Sequence, residues 1–158
     1  MLFTGEYEHS IDAQQRLAIP SDIRARLDAA AAGTALYLVP GPNGAVWLWP
    51  EATFEAMVGA MDQSLLPADE MMEFDELFFS LAERVEMDKA GRIRVPERLK
   101  TLGGLGQSVV ILGVRDHLEL RDSEQWAARR AEKLAKQNEI MLRARQAYAE
   151  QQRRNTAG

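Results

Sequence analysis

Cysteine is absent from the sequence, and histidine occurs only twice. The lack of cysteine excludes a disulfide framework, a zinc site built from thiolates and a cysteine nucleophile. No stretch approaches the ~20 consecutive apolar residues that a membrane-spanning helix needs. The first ten residues, MLFTGEYEHS, lack the basic region and apolar run of a signal peptide. These absences predict a cytoplasmic protein without a membrane anchor.

An excess of basic charge is also missing, since the formal net charge is −5 over 158 residues. The charge is unevenly distributed: residues 51–88 hold eleven acidic residues against Arg84 alone, whereas 89–120 are net +3 and 121–158 are net +4. Hydrophobic residues make up 46% and charged residues 27%, which is typical of one globular domain or two small ones. The distribution of charge, and not the total, therefore decides whether a phosphate-binding surface can exist.

A repeated motif organises the chain. Residues 12–20, DAQQRLAIP, match residues 88–96, DKAGRIRVP, at an offset of 76, and residues 46–54 resemble 118–126 at an offset of 72. We therefore predict two copies of a unit of about 45–50 residues. The predicted division is a first repeat at 5–54, an acidic helical connector at 55–80, a second repeat at 81–126, and a C-terminal helix and tail at 127–158.

Each copy has the pattern of a small α+β unit. In both copies, two short strands flank a polar turn, which predicts a β-hairpin. A proline then ends the second strand, and a short helix, two further strands and another helix follow. The predicted strands are 7–11, 16–19, 35–39 and 46–49 in the first copy and 84–87, 92–95, 109–114 and 117–121 in the second; the helices are 21–32 and 97–102, with others starting near Glu51 and Ser123.

The connector and the C-terminal segment are both predicted to be helical. The connector is rich in Met, Phe and acidic residues, and Pro67 breaks it. Residues 123–154 contain no proline or glycine and are predicted to form one long helix. An apolar seam recurs there every seven residues, and it suits packing on a partner: Ala127, Leu134, Met141 and Tyr148. Because units this small bury little surface alone, we predict a higher oligomer.

The sharpest signal is Asp-x-x-x-Arg, which occurs twice in register. Asp12 and Asp88 can accept hydrogen bonds from the amides of the turns that they open. Gly91 suits the left-handed end of the second turn, whereas Gln15 must take a positive φ at a cost on the order of 1 kcal/mol. The arginines that close the turns have two open interpretations, an ion pair that braces the turn or a contact to DNA.

The second copy carries the most basic segment of the sequence. Residues 89–100 hold five basic residues and one acidic residue. The matching set in the first copy is thinner, with Arg16, Arg24 and Arg26. The candidate DNA-binding residues are Arg16, Arg24, Lys89, Arg92, Arg94 and Arg98, and the turn residues are Asp12, Asp88 and Gly91.

These segments resemble the MraZ transcriptional regulators. MLFTGEYEHSIDAQQRLAIPSDIR is similar to the start of that family, and ERVEMDKAGRIRVPERLKTLGGL is similar to its second repeat. The resemblance covers about residues 1–130. It implies two SpoVT/AbrB-like domains of the swapped-hairpin type and a closed, ring-shaped homo-oligomer. It also implies a nucleoid-associated regulator that binds repeated double-stranded DNA boxes before the division and cell-wall gene cluster.

No other class of site is favoured. His9 and His117 have no histidine at the equivalent position of the other repeat, so each is interpreted as solvated or structurally hydrogen-bonded. Trp47 and Trp49 share a strand face and are expected to pack in the core or an interface. The acidic cluster 69–76 lacks metal-binding spacing, and no serine has a nucleophile context. We therefore predict no enzyme activity, no metal, no cofactor and no small-molecule substrate.

Two other functions stay open at this point. An antitoxin-like or scaffolding oligomer could use the same basic hairpins to bind a protein, and a hydrolase could use the acidic connector. The sequence leaves the DNA site, the number of subunits and the choice between repression and activation undecided.

Overall fold

The computed structural model describes residues 1–61 and 63–158. The chain forms two compact units, Met1–Ser123 and Glu124–Gly158. In chain order the elements are β1 (Glu6–Ser10), β2 (Arg16–Ala18), α1 (Ser21–Ala29), β3 (Ala35–Pro40), β4 (Val46–Pro50), α2 (Glu51–Gly59), α3 (Asp69–Leu81), β5 (Glu83–Glu86), β6 (Arg92–Arg94), α4 (Glu97–Leu102), β7 (Ser108–Val114), β8 (His117–Asp122), α5 (Ser123–Ala135) and α6 (Gln137–Ala157).

The strands form one six-stranded antiparallel sheet and a separate two-stranded ribbon. The order in the sheet is β1-β7-β8-β4-β3-β5, and the ribbon pairs β2 with β6. Strand β1 of the first copy therefore pairs with β7 of the second, and β5 of the second copy pairs with β3 of the first. The two copies exchange strands, which confirms the α+β fold of tandem, swapped-hairpin units.

The prediction of a conventional hairpin within each copy is wrong beyond the turn. Ile11, the residue after β1, forms a single bridge with Leu17 of β2, and β1 and β2 themselves pair with other strands. Leu17 instead lies opposite Ile93 of the other copy, and both side chains are buried. Neither copy could bury these side chains alone, so the strands separate and the two copies share one core.

The pairing register shows the internal duplication directly. In the ribbon, Leu17 pairs with Ile93, its equivalent at the offset of 76. In the sheet, Trp47 pairs with Glu119, its equivalent at the offset of 72. Because an antiparallel pair of equivalent residues lies on a two-fold axis, the first unit has approximate two-fold symmetry that relates its copies. The repeats are thus structural equivalents as well as similar sequences.

One continuous core holds the sheet, the ribbon and helices α1 and α4 together. Both ribbon strands turn their central side chain inward, and both helices contribute apolar residues from one face. The fully buried side chains of this core include Leu17, Ile19, Ile23, Leu27, Leu36, Leu38, Leu48, Ile93, Leu99, Ile111 and Leu118. One face of the ribbon therefore packs on the core, and the opposite face is turned toward solvent.

The predicted C-terminal helix is two helices. Helix α5 ends at Ala135, and Lys136 leaves the helical conformation with φ −111° and ψ 20° before α6 begins. The amide of Lys136 donates to the Lys133 carbonyl at 3.1 Å, a tighter turn than the α-helical pattern. An apolar cleft lined by Leu134, Ile140 and Met141 lies at this break. The prediction failed because the break carries neither proline nor glycine.

Helices α2 and α3 occupy the connector, with the predicted interruption around Pro67. They pack against a second, smaller apolar cluster that contains Trp49 and Phe54. Over residues 1–61 and 63–158, no helix has both the length and the apolar character that crossing a membrane requires.

Candidate nucleic-acid interface

The ribbon of β2 and β6 places arginines from both copies on one outer face. Arg16 lies directly opposite Arg94, and Ala18 lies opposite Arg92. Because side chains alternate along a strand, burial of the central residues Leu17 and Ile93 directs these four residues outward. We call the outward set Arg16, Arg92 and Arg94 the basic ribbon.

Each end of the basic ribbon is held by the same turn. Asp12 Oδ1 accepts the amides of Gln14 at 2.9 Å and Arg16 at 2.8 Å. In the second copy, Asp88 Oδ1 accepts the amides of Ala90 at 2.9 Å and Arg92 at 3.0 Å. The aspartates thus fix the turns, as Asx turns do, and set the direction in which each ribbon strand leaves.

The aspartates also orient the arginines. Asp12 Oδ2 accepts Arg16 Nε at 2.8 Å, and Asp88 Oδ2 accepts Arg92 Nε at 3.0 Å. The backbone N–H of Arg16, and then its side chain, hold the pKa of Asp12 below its ordinary value despite partial desolvation, and Arg92 does the same to Asp88. Both aspartates are therefore ionised near neutral pH.

The ion pairs occupy only one nitrogen of each guanidinium. Within residues 1–61 and 63–158, the terminal nitrogens Nη1 and Nη2 of Arg16 and Arg92 make no hydrogen bond. The side chains of Arg16 and Arg92 are 33% and 37% exposed. A guanidinium held through Nε presents its two Nη groups to an external acceptor, which is the fork that binds a phosphate or a guanine edge. Bracing and binding are therefore compatible here.

A basic side chain of each copy covers the turn of the other copy. Lys100 Nζ donates to Gln15 Oε1 at 3.0 Å. Its equivalent, Arg24, packs over Gly91 and donates from Nε to the Ile19 carbonyl at 3.1 Å. The offset of 76 relates Arg24 to Lys100 and Gln15 to Gly91, so the two arrangements are symmetry mates.

Both turns contain a residue with positive φ, but the residue type differs between the two copies. Gln15 and Gly91 have φ of 64° and 76°, which confirms the predicted positive φ at Gln15. At Gly91 the absence of a side chain is needed for a second reason. A Cβ placed there would lie 2.5 Å from Cδ and 2.6 Å from Nε of Arg24.

Gly91→Ala is expected to lower the free energy of unfolding by about 1–2 kcal/mol through its positive φ, and further by displacing Arg24. Gly33→Ala is the matched control, because Gly33 has φ +79° but open space where its Cβ would lie. Chemical denaturation of both variants measures the difference. Equal losses would mean that Arg24 moves aside without cost.

The remaining candidate residues lie around the basic ribbon. Lys89 is exposed in the second turn. Arg94 is exposed at the end of β6, whereas Arg24 is half-buried against Gly91. Arg98 lies on α4 and donates from Nε to Glu83 Oε2 at 3.3 Å, so its charge is partly neutralised. The structure thus brings Arg16, Lys89, Arg92, Arg94 and Arg24 together at the ribbon and its turns, and it pairs Arg98 with an acid.

Lys100 belongs to the basic segment 89–100, but it is not among the candidate residues that the sequence predicts. Its contact to Gln15 links the second copy to the turn of the first. The signal that could have found it is the repeat itself, since Lys100 is the equivalent of Arg24. The exchange of strands, which brings Arg16 opposite Arg94, could not be read from the spacing.

His117 lies apart from the ribbon in a buried polar cluster. Its Nδ1 is 2.9 Å from Asp116 Oδ1, and its Nε2 is 3.8 Å from Glu119 Oε1, a charge pairing without a hydrogen bond. Its ring stacks on Trp49 with centroids 4.4 Å apart. Glu119 also accepts Trp47 Nε1 at 3.1 Å, so the cluster joins the two copies across the paired strands β4 and β8. The prediction of a structural histidine is confirmed at this position.

The His117 cluster is expected to make stability depend on pH. Burial opposes protonation, but Glu119 and Asp116 outweigh it and raise the pKa of His117 above its ordinary value. A raised pKa stabilises the fold fully below the unfolded value of about 6.5, and the contribution disappears as pH rises through the folded pKa. The melting temperature of the wild type relative to His117→Asn should therefore fall between pH 6 and 9. His9→Asn is the control, and a pH-independent difference would contradict the pairing.

Over the described part of the chain, residues 1–61 and 63–158, no three His, Asp or Glu side chains are grouped so that they could hold a metal ion. The acidic cluster on α3 is exposed along the helix.

Comparison with known proteins connects this geometry to a family. A family model described as "MraZ protein, putative antitoxin-like" matches residues 2–74 and 78–150. A transcriptional regulator MraZ of Lactiplantibacillus plantarum is 31% identical over 125 residues, which cover 79% of this chain and 85% of that protein. The protein of the same name from Symbiobacterium thermophilum is 33% identical over 123 residues, covering 78% and 86%. One from Lactobacillus delbrueckii subsp. bulgaricus is 32% identical over 125 residues, covering 79% and 84%.

Proposed function

The chain belongs to the MraZ family, and on that premise we propose that it is a transcriptional regulator that binds double-stranded DNA through the basic ribbon. The main support is that Arg16 of the first copy and Arg92 and Arg94 of the second lie on the same outward face of the β2–β6 ribbon. The relatives named above carry the name transcriptional regulator, and DNA binding is the property expected of a protein with that role.

The dimensions of the ribbon suit the major groove. Three residues per strand at about 3.3 Å each span about 10 Å, and the groove of B-DNA is about 12 Å wide and admits a two-stranded ribbon. The Nη groups of Arg92 and Arg16 can then reach guanine O6 and N7 or flanking phosphates. Lys89 is exposed in the second turn, and the proposal assigns it a phosphate contact.

A single ribbon of this size makes few contacts, so one subunit alone would bind weakly. We propose that several copies assemble into a closed ring and present their ribbons to repeated boxes on one duplex. Linked weak contacts can gain 10²–10⁴-fold in overall affinity when the geometry allows simultaneous binding. From the family resemblance, we also propose that the boxes lie upstream of the division and cell-wall gene cluster and that the protein is nucleoid-associated.

The test is a gel shift with DNA from upstream of the protein's own gene, at 50 mM and 200 mM salt, beside a shuffled duplex of the same length. The proposal predicts a shift of the upstream DNA that weakens steeply with salt, because released counterions drive phosphate contacts. Equal binding of both duplexes would leave only non-specific attraction. Absence of binding at either salt would favour the antitoxin-like or scaffolding alternative, in which the ribbon binds a protein.

A further inference from the structure

Helix α3 presents an apolar face that nothing in the described chain covers. Every side chain from Asp69 to Leu77 is exposed, although four of them are large and apolar: Met71, Met72, Phe74 and Leu77. Phe78 and Phe79 join the aromatic cluster beneath the helix, and Phe74 stacks on Phe78 with ring centroids 5.0 Å apart, yet Phe74 stays 49% exposed. A helix with this much exposed apolar surface is incomplete as a monomer surface.

A groove runs beside this helix. Its volume is about 180 Å³, and it is lined almost entirely by apolar side chains from β4, α2 and α3, among them Trp47, Trp49, Met57 and Phe74. Met57 and Phe74 are 47% and 49% exposed. We call this surface the α2–α3 groove.

The segment that supplies helices α2 and α3 carries charge of one sign. Residues 51–83 contain no lysine, arginine or histidine. Helix α3 supplies five exposed acids, Asp69, Glu70, Glu73, Asp75 and Glu76. The occupant of the groove should therefore be apolar along one face and basic beside it.

The second unit of the same chain has those properties. Residues 124–158 hold eight basic and four acidic residues. Between α5 and α6 lies an apolar cleft of about 260 Å³, lined by Trp126, Leu134, Ile140 and Met141 with Lys133 at its edge. Leu134 and Met141 are 52% and 64% exposed. These helices are thus complementary to the groove in both apolar surface and charge.

We propose that the α2–α3 groove binds the C-terminal helices α5 and α6 of a second copy of this chain. The contact joins two different surfaces, so it leaves one groove and one pair of helices free at the ends of any open chain of subunits. Such head-to-tail contacts close into a ring when the rotation between subunits allows it. The inference deepens the proposed function, because it names the surfaces that would build the ring.

Two variants test the contact. The groove variant is Phe74→Asp, which places a charge in the apolar lining. The tail variant is Leu134→Asp with Met141→Asp, two exposed positions on the C-terminal helices. Leu102→Asp is the matched control, because Leu102 is 55% exposed on α4 and lies outside both surfaces. Circular dichroism and thermal melting establish that each variant is folded.

Light scattering coupled to size exclusion gives the decisive readout. The wild type and the control are expected to be higher oligomers, and each variant alone is expected at the monomer mass of 17.7 kDa. A 1:1 mixture of the two variants should form dimers and nothing larger, because one intact groove then meets one intact pair of helices. A mixture that remains monomeric would mean that the intact groove of one variant does not bind the intact helices of the other. A tail variant of wild-type mass would mean that the C-terminal helices do not form the contact. Either result overturns the proposal.

DNA binding separates this proposal from the proposed function. A monomeric groove variant keeps the basic ribbon, so it should still bind the upstream duplex at low salt, with affinity reduced at least 10-fold by lost multivalency. If the wild type is a monomer that binds this DNA tightly, the docking proposal fails and the proposed DNA binding stands. If the wild type is an oligomer that never binds DNA, the proposed function fails and the contact stands.

Discussion

Arg92→Ala is expected to weaken binding to duplex DNA by about 1–3 kcal/mol for each ribbon, which is about 5- to 150-fold. The reason is geometric, since Asp88 holds the 37% exposed side chain of Arg92 through Nε, and both Nη groups are left without a hydrogen bond to the described part of the chain. In a ring, each subunit loses the same contact, so the total loss should exceed that of one site. Fluorescence anisotropy with labelled upstream DNA measures the affinity.

Folding is expected to survive the substitution of Arg92. The Asp88–Arg92 pair is exposed, and Asp88 keeps its hydrogen bonds to the turn amides of Ala90 and residue 92. Arg16→Ala should act in the same direction, and Lys89→Ala should weaken binding evenly across sequences. If the melting temperature falls while DNA affinity is retained, the arginine braces the turn only, and the DNA-contacting surface lies elsewhere.

Leu17→Ala is expected to destabilise the protein by about 2–5 kcal/mol, the usual cost of removing a fully buried leucine side chain. For a chain of this length, such a loss lowers the melting temperature by about 4–20 °C. Leu17 and Ile93 face each other beneath the basic ribbon and anchor both strands to the core. Ile93→Ala should therefore cost a similar amount. Thermal and chemical denaturation give both values.

The matched control for these core substitutions is Leu102→Ala, whose side chain is more than half exposed. It should change the free energy of unfolding by less than about 0.5 kcal/mol. A small effect of Leu17→Ala would mean that the ribbon is held by its turns and that the exchange of strands contributes little to stability.

The local structure could be predicted from the sequence because its causes are local. The Asp-x-x-x-Arg turns, the positive φ at Gln15 and the helix over 97–102 follow from side-chain hydrogen bonding, from glycine at the equivalent position and from the proline that precedes the helix. The alternation of Ile93 with Arg92 and Arg94 likewise predicted which side chains would face outward.

The pairing of the strands could not be predicted from the residues alone. Both copies carry the same alternating pattern, so β2 satisfies that pattern equally well against β1 or against β6. The choice is made by packing, since only the exchanged arrangement brings Leu17 and Ile93 into one core. The break at Lys136 was not predicted for a related reason. It lies at the apolar cleft between α5 and α6, and such a cleft is a tertiary feature that local sequence does not show.

The central claim is that arginines from both copies form one DNA-contacting surface, and the salt dependence of binding tests it most directly. The slope of log K against log salt should be measured for the wild type and for Arg16→Ala/Arg92→Ala/Arg94→Ala on the upstream duplex. Each phosphate contact contributes about 0.9 to the slope, so a ribbon whose three arginines lie on phosphates predicts a slope shallower by up to about 2.7 for each bound subunit, with weaker binding. An unchanged slope and affinity in a folded triple variant would contradict the claim.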